Sequence, residues 1–477
     1  MPTRSISAAL YLTLCGLTII DALFTVEAAV WVAIGCMSAF ILLEFPRTAR
    51  LQQAVSVALA GLGVLAGTME SGALDTVIDG LRRTLPFLLL FASVTWLQGP
   101  AGRSPSLLTV REIAIRQPSG RRFAVIALAA HFLGVAFNLA GLSLLTPMVG
   151  GDTPKPLRER LGRAMVQGFA AGTAWSPFYV GTAVILSAVP GVRWLEVAPL
   201  GIGLSLFIIG CSWAFDRLFL RAAAQREMNE EPKERGPAPP FTRRHAGNIA
   251  LLLGTLFGIT ILLVEGLRLS IPVSLAIVAP PFSLAWAIAL AGKRLPSTAP
   301  DGTDTAAPTI ATGDRSGFIL LRQVFDKIPD LRGETMLFAG ANILGVGIAS
   351  ALDPDLVAQW VQNVTPNPIV TIPALMAAMM LTSIVGLHPV VFVVLVTSIL
   401  PPEALGVAPP IAAMAMMCLW GQGTNASPFS ATCLFISRIT GDSNWRIAWR
   451  WNAPFSLTVA LLLAAILILV QLSGVYG

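Results

Sequence analysis

Charge is scarce in this chain. Of 477 residues only 12% are Asp, Glu, Lys or Arg, 55% are hydrophobic, and the mean hydropathy is +0.73. A soluble domain is about 25% charged, so half that supply cannot cover a water-facing surface of this size. A soluble enzyme, a disordered chain and a nucleic-acid binder are excluded, and the composition indicates a polytopic membrane protein. Three histidines speak against a metalloenzyme. The five cysteines (Cys15, Cys36, Cys211, Cys418, Cys433) fall in apolar stretches, with neither metal-site spacing nor a place where a disulfide framework is useful. The net charge of +6 and pI near 9.4 fit an excess of Lys/Arg in cytoplasmic loops. Arg4 precedes an apolar run with no small-residue cleavage pattern, so the N-terminus reads as a first span and not a signal peptide.

A membrane helix needs about 20 apolar residues, range about 17–25. Segments 5–24, 27–45, 51–69, 80–98, 197–218, 247–265, 271–292, 335–352 and 447–474 meet this. Four further apolar stretches, 120–149, 159–190, 367–400 and 409–438, are interrupted by Gly, Pro or Asn near the middle. Each is too long for one straight span and too short for two. Irregular backbone at membrane depth is tolerated only where protein or a water-filled cavity surrounds it. Residues 120–149 and 367–400 read as re-entrant hairpins, 159–190 and 409–438 as broken helices that cross. With the N-terminus in the cytoplasm this gives about 11 transmembrane helices. Of the 32 Lys and Arg, only Arg82, Arg83, Arg193 and Arg268 then lie outside, and the C-terminus is periplasmic.

Sliding the chain by 251 residues matches it to itself. Gly172-Thr173-Ala174-Trp175-Ser176-Pro177-Phe178 falls on Gly423-Thr424-Asn425-Ala426-Ser427-Pro428-Phe429. Without a gap, Ala164-Met165 falls on Ala415-Met416, Ile185 on Ile436, Trp194 on Trp445, Thr146 on Thr397, and Phe87 on Phe338. The first broken helix runs outward and the second inward, so the repeats are inverted, a signature of secondary transporters with a site near the midplane. The organisation expected is scaffold helices in 1–70, repeat 1 in 71–221, a cytoplasmic linker at 222–246, scaffold helices in 247–293, a second linker at 294–316, and repeat 2 in 317–477. Residues 317–329 and 354–365 look amphipathic and interfacial.

A broken helix exposes N–H groups that favour an anion and C=O groups that favour a small cation. Gly172 and Gly423 allow unwinding, Thr173, Ser176, Thr424, Asn425 and Ser427 add polar oxygens, and Pro177 and Pro428 suit the first turn of a restarting helix. The plainer alternative is a proline kink repaired by Ser/Thr. At the hairpin tips Asn138 and His388 are isolated polar groups, functional candidates at membrane depth. His388 can donate to a solute or carry a coupling proton, or bond its own hairpin backbone. His131 reads as packing. Trp175 and Trp420 can cap a solute or pack at the interface, and Gln167 and Gln422 rank behind the other candidates. No Asp, Glu, Lys or Arg lies between Arg163 and Arg193, or between Glu403 and Arg438. Dipoles, hydroxyls and bound cations must therefore meet solute charge.

The twofold order of span, interfacial helix, hairpin, broken helix and final span resembles the ion transporter superfamily, in particular its divalent-anion/sodium symporters and their citrate and dicarboxylate relatives. Those carry Ser-Asn-Thr at each hairpin tip. Here the tips read Phe137-Asn138-Leu139 and Leu387-His388-Pro389, so only Asn138 preserves a member. The resemblance implies an elevator-type transporter: hairpins and broken helices move against a homodimeric scaffold, and connectors 99–119 and 353–366 act as arms. The expected function is a secondary active transporter for a small anionic, carboxylate-like solute in the inner membrane. Coupling is to Na⁺ or H⁺, with no catalytic residues, cofactor or nucleic-acid partner. Solute-binding candidates are Asn138, Thr173, Ser176, His388, Thr424, Asn425 and Ser427. Coupling-ion candidates are Asn138, Gly172, Thr173, Gly423, Thr424 and Asn425. Alternatives are an exporter or antiporter, a channel, or a membrane enzyme acting on a lipid-linked substrate.

Overall fold

The computed structural model describes residues 2–68, 70, 72–150, 153–220, 240–290, 314–365, 367–400 and 402–476. Helices make up these residues, with no strand among them. In order they are α1 (Pro2–Phe24), α2 (Glu27–Glu44), α3 (Arg50–Gly67), α4 (Ala73–Ala101), α5 (Pro105–Ile115), α6 (Ser119–Phe137), α7 (Leu139–Ser143), α8 (Lys155–Ala171), α9 (Val180–Ala188) and α10 (Trp194–Phe219). Then come α11 (Arg243–Ile261), α12 (Ile271–Leu290), α13 (Asp314–Lys327), α14 (Arg332–Ala351), α15 (Pro354–Val364), α16 (Pro368–Val385), α17 (Pro389–Ile399), α18 (Pro409–Ala426), α19 (Ala431–Thr440) and α20 (Ala453–Leu472). Prolines at 105, 354, 368, 389 and 409 open their helices, where the missing N–H costs nothing.

Nine helices among the described residues are long and apolar enough to cross a membrane. Two expected spans, α3 and α4, are not in that set. Arg50, Gln52 and Gln53 dilute the start of α3, and Asp75, Asp79, Arg82 and Arg83 lie in the first half of α4. Both pack on α14. There Gly63, Gly340 and Gly347 bring backbones together as small residues do between membrane helices.

Most of linkers 222–246 and 294–316 lies outside the described residues. Their C-terminal ends do not: α11 starts at Arg243, capped by Thr242, and α13 at Asp314. Leu320 and Val324 of α13 and Ile328 just after it form a buried stripe at helical spacing. In α15 the corresponding stripe, Leu356, Trp360 and Val364, is exposed. Of the two proposed arms, α5 buries Leu107 and Leu108, whereas α15 buries nothing.

The hairpins are lopsided. Their first arms, α6 and α16, run 19 and 18 residues, about 27–29 Å at 1.5 Å per residue. Both are long enough to cross. The return arms are shorter: α17 has 11 residues, and α7 only five before Pro147 turns the chain into a 3₁₀ segment at Thr146–Met148. The element order from α4 to α10 recurs from α14 to α20, with a tip at 138 and again at 386–388, and a break at 175–179 and again at 427–430.

Candidate functional site

Both broken helices unwind. The first leaves the α-helix at Gly172, which caps α8 with right-handed angles (φ −66°, ψ −23°) and opens a 3₁₀ turn over Gly172–Ala174; Gly423 lies inside α18. Both glycines also allow close approach: a Cβ on Gly172 would stand 2.6 Å from the Tyr179 ring, and one on Gly423 2.5 Å from Ser383 Oγ. Helical backbone is lost altogether at Trp175 and at Ser427. Ser427 is extended (φ −93°, ψ 120°) because the residue before a proline is pushed out of the helical region. Pro177 and Pro428 do not open the restarted helices. Those begin three residues later, at Val180 and at Ala431, and Ser430 caps the second by accepting from Cys433 N at 3.1 Å.

In the first half every candidate side chain holds protein to protein. Asn138 sits at the tip with φ +53°, its Oδ1 accepting from Leu139 N at 2.8 Å and its Nδ2 donating to Phe178 O at 3.3 Å. Ser176 Oγ donates to Val135 O at 2.7 Å and accepts from Phe178 N at 3.3 Å. The Thr173 hydroxyl lies 2.8 Å from Ala170 O and 3.1 Å from Met417 O, so it ties α8 to α18. Gln167 donates to Asn452 Oδ1 at 3.1 Å and accepts from Ser212 Oγ at 2.6 Å. His131 accepts from Trp175 Nε1 at 3.4 Å while its Nδ1 has no hydrogen-bond partner, and Trp175 stacks on Phe257. The polar groups of Asn138, Thr173, Ser176 and Gln167 join tip, break and neighbouring helices.

The second half differs. Gln422 and Asn425 are fully buried, and all four polar atoms of their side-chain amides are without a hydrogen-bond partner. Three apart on α18, they share one helix face. At the offset of 251 their counterparts are Ala171 and Ala174, which have nothing to satisfy. The repeat therefore isolates two amides introduced into one half without protein partners. Leaving one buried donor or acceptor unmatched costs about 1–3 kcal/mol, and native structures leave few. Gln422 is the residue that sequence reasoning underrated, and comparing it with Ala171 across the offset was the available signal.

Tip 2 closes over this turn of α18. Gly386 has φ +106°, a left-handed conformation that suits glycine, and a Cβ there would meet the Phe429 ring at 2.5 Å. His388 caps α17: its Nδ1 accepts from Val390 N at 3.2 Å, which leaves Nε2 to carry the proton of the neutral ring. The ring stands edge-on to Trp420 with centroids 5.6 Å apart. Trp420 packs against Gly181 at the start of α9. Thr424 donates to Gly421 O at 2.9 Å, and the carbonyls of Thr424 and Asn425 face Cys433 Sγ at 3.6 and 3.5 Å. The structure thus places Gln422, Thr424, Asn425 and Ser427 at the end of α18, sets His388 against Trp420 of the same helix, and shows Asn138, Thr173 and Ser176 hydrogen-bonded within the protein in the other half. No His/Cys/Asp/Glu cluster fit for a metal occurs among the described residues.

Two ionic contacts that sequence reasoning missed start from α8, a buried one to α10 and a partly exposed one to the segment before α20. Arg160 grips Asp216 through Nε–Oδ1 at 2.9 Å and an NH2–Oδ2 contact at 2.8 Å, with both side chains at most 2% exposed. Glu159 accepts from Arg163 of the same helix at 2.6 Å and from Arg446 of the second repeat at 3.4 Å.

No known protein family and no curated protein matches the chain by sequence. Solved structures do match in fold. The Alcanivorax borkumensis YdaH transporter, described as having an unusual topology, aligns over 89% of this chain and 98% of its own, at 13% identity and a TM-score of 0.57. Neisseria gonorrhoeae MtrF, described as illuminating a class of antimetabolite efflux pumps, aligns over 85% of both chains at 11% identity and a TM-score of 0.51. The chain is an all-helical membrane protein that shares the fold of these transporters.

Proposed function

We propose that the protein is a secondary active transporter whose solute site lies at the second break. One observation carries this reading: the side chains of Gln422 and Asn425 are buried with four polar atoms unpartnered, on the helix that breaks at Ser427. The amide N–H groups suit a carboxylate on a small organic solute, and His388, on the Trp420 face of the same helix, is a separate solute-binding candidate. The amide oxygens, the Thr424 and Ser427 hydroxyls and the carbonyls at the end of α18 suit a small cation. Coupling to Na⁺ or H⁺ is part of the proposal, with His388 the proton-carrying candidate. The recurring element order supports two repeats. Their inversion with about eleven crossings, the likeness to the ion transporter superfamily, an elevator movement and a homodimeric scaffold in an inner membrane are part of the proposal.

Export is the second reading, favoured by the fold shared with MtrF, an antimetabolite efflux pump. The test is thermal stability of the purified protein against a panel of small carboxylates and amides, with and without Na⁺. A ligand bound only to the folded state raises stability as RT ln(1 + [L]/Kd). A stabilising solute whose effect vanishes in Asn425→Leu supports the site; a stabilising solute indifferent to Gln422→Leu and Asn425→Leu refutes it.

A further inference from the structure

The two unpartnered amides have a companion on a neighbouring helix. An α-helix turns by about 100° per residue, so Trp420, Gly421 and Gly423 mark three sides of α18. Trp420 faces α9 and His388, a Cβ on Gly421 would run into Ala170 O of α8, and one on Gly423 would meet Ser383 of α16. Gln422 lies nearly opposite Trp420, about 160° away, with Asn425 about 60° from it, on the side those three leave open. α20 also packs along α18. Gln471 Oε1 near the end of α20 accepts from Ala408 N at the start of α18 at 3.0 Å. At the other end Asn444 Nδ2 donates to Pro428 O at 2.8 Å, so the two helices run antiparallel.

The contact between Ala408 and Gln471 sets the level of the groups between them. Gln422 and Asn425 follow Ala408 by 14 and 17 residues, and Ser456 precedes Gln471 by 15. At 1.5 Å per residue these lie about 21, 26 and 22 Å along, so Ser456 stands level with the amides. Around α20 it lies within about 60° of Gln471. Phe455, about 160° from Gln471, packs instead on Phe215 of α10. Ser456 is fully buried, and its hydroxyl has no hydrogen-bond partner. A helical serine can donate to a carbonyl of its own preceding turn. Ser205, its counterpart at the offset of 251, does so to Ile202 O at 2.8 Å. Among the described residues three other buried serines lack a partner, but Ser56 lies on α3 and Ser274 and Ser283 on α12.

We infer that Ser456 is a third solute-binding residue and that the site lies in the seam between α18 and α20. The inference rests on the proposed role of Gln422 and Asn425. The amide N–H groups and the Ser456 hydroxyl donate from two helices to the two oxygens of one carboxylate, and hydrogen bonds to an ionised acceptor are the strong ones. The experiment has two arms on the full-length chain. In the first, Gln422→Cys/Ser456→Cys is treated with a short bis-thiosulfonate cross-linker, beside Ala408→Cys/Gln471→Cys as the positive control, and linked peptides are read by mass spectrometry. In the second, succinate, glutarate and benzoate are titrated against the thermal midpoint of wild type, Ser456→Ala, Ser456→Thr, Ser205→Ala and Gln422→Leu. The expected result is a link between positions 422 and 456, and a solute affinity about tenfold weaker in Ser456→Ala. That affinity is partly regained in Ser456→Thr and unchanged in Ser205→Ala, and solute-free Ser456→Ala melts no lower than wild type. A missing link between 422 and 456 while 408 and 471 do link overturns the inference. So does a probe that needs Gln422 yet binds Ser456→Ala as tightly as wild type, and either outcome leaves the second-break proposal standing. A probe indifferent to both residues refutes both. Should none of the three bind, the cross-link alone decides.

Discussion

If Gln422 and Asn425 await a ligand, they destabilise the empty protein. Replacing both with leucine removes two buried amides that have no partners and keeps the branched outline at 425, with a somewhat larger side chain there. Matching a buried site with an apolar group of similar shape is neutral or stabilising, because about 1–3 kcal/mol of desolvation cost per unmatched group disappears. For the pair this is roughly 2–6 kcal/mol. At about 2.1 cal/mol/K of unfolding entropy per residue, a chain of this length changes its midpoint by roughly 1 °C per kcal/mol. The solute-free double variant should therefore melt roughly 2–6 °C above wild type while transport is lost. Gln167→Leu is the control of opposite sign. That amide is fully engaged, with Asn452 at 3.1 Å and Ser212 at 2.6 Å, so its removal orphans two buried groups and lowers stability by about 1–3 kcal/mol for each. The assay is unfolding of detergent-purified protein without solute, beside flux in proteoliposomes. If Gln422→Leu/Asn425→Leu melts below wild type, as Gln167→Leu should, the two amides are structural and the reasoning fails.

Further outcomes follow from the same geometry. Gly386→Ala forces a side chain into φ +106° against the Phe429 ring; it should cost about 1–3 kcal/mol and reduce flux, read by unfolding and by uptake. Asn138→Gly keeps the positive φ of the first tip, whereas Asn138→Ala does not, so alanine should destabilise more than glycine in the same unfolding assay. A larger loss of solute affinity than of stability in Asn138→Gly would return that residue to the binding site. Arg160→Met leaves Asp216 charged and buried and should cost about 3–5 kcal/mol; adding Asp216→Leu should recover most of it. Cysteines placed at 360 and 230 should label from opposite sides of the membrane, and same-side labelling contradicts the eleven-crossing topology.

Much of this architecture was legible in the sequence because membrane helices are read by length and apolarity, and both hairpin tips and both breaks fall where the chain carries Gly, Pro, Asn or His among apolar runs. The offset of 251 also placed Phe178 on Phe429, the residue each tip meets: Asn138 through a hydrogen bond to its carbonyl, Gly386 through the ring. What the sequence did not convey was how each polar group is satisfied. Thr173, Ser176 and Asn138 look like ligand groups in isolation, and only the folded partners Met417, Val135 and Phe178 show that they join elements instead. Gly423 looked like a point of unwinding, yet it lies inside α18 and answers to Ser383, a neighbour unremarkable in the sequence. Gln422 was underrated because a glutamine next to a break has no pattern of its own; its burial without partners is a tertiary property.

The central claim is that solute moves through the second break under an ion gradient. Proteoliposomes loaded with a stabilising solute and given an imposed Na⁺ or pH gradient test it directly, with wild type and Gln422→Leu/Asn425→Leu side by side. Gradient-driven accumulation and counterflow in wild type, both absent in the variant while it folds with a raised midpoint, is the predicted result. Flux indifferent to both gradients, or undiminished in the variant, contradicts it.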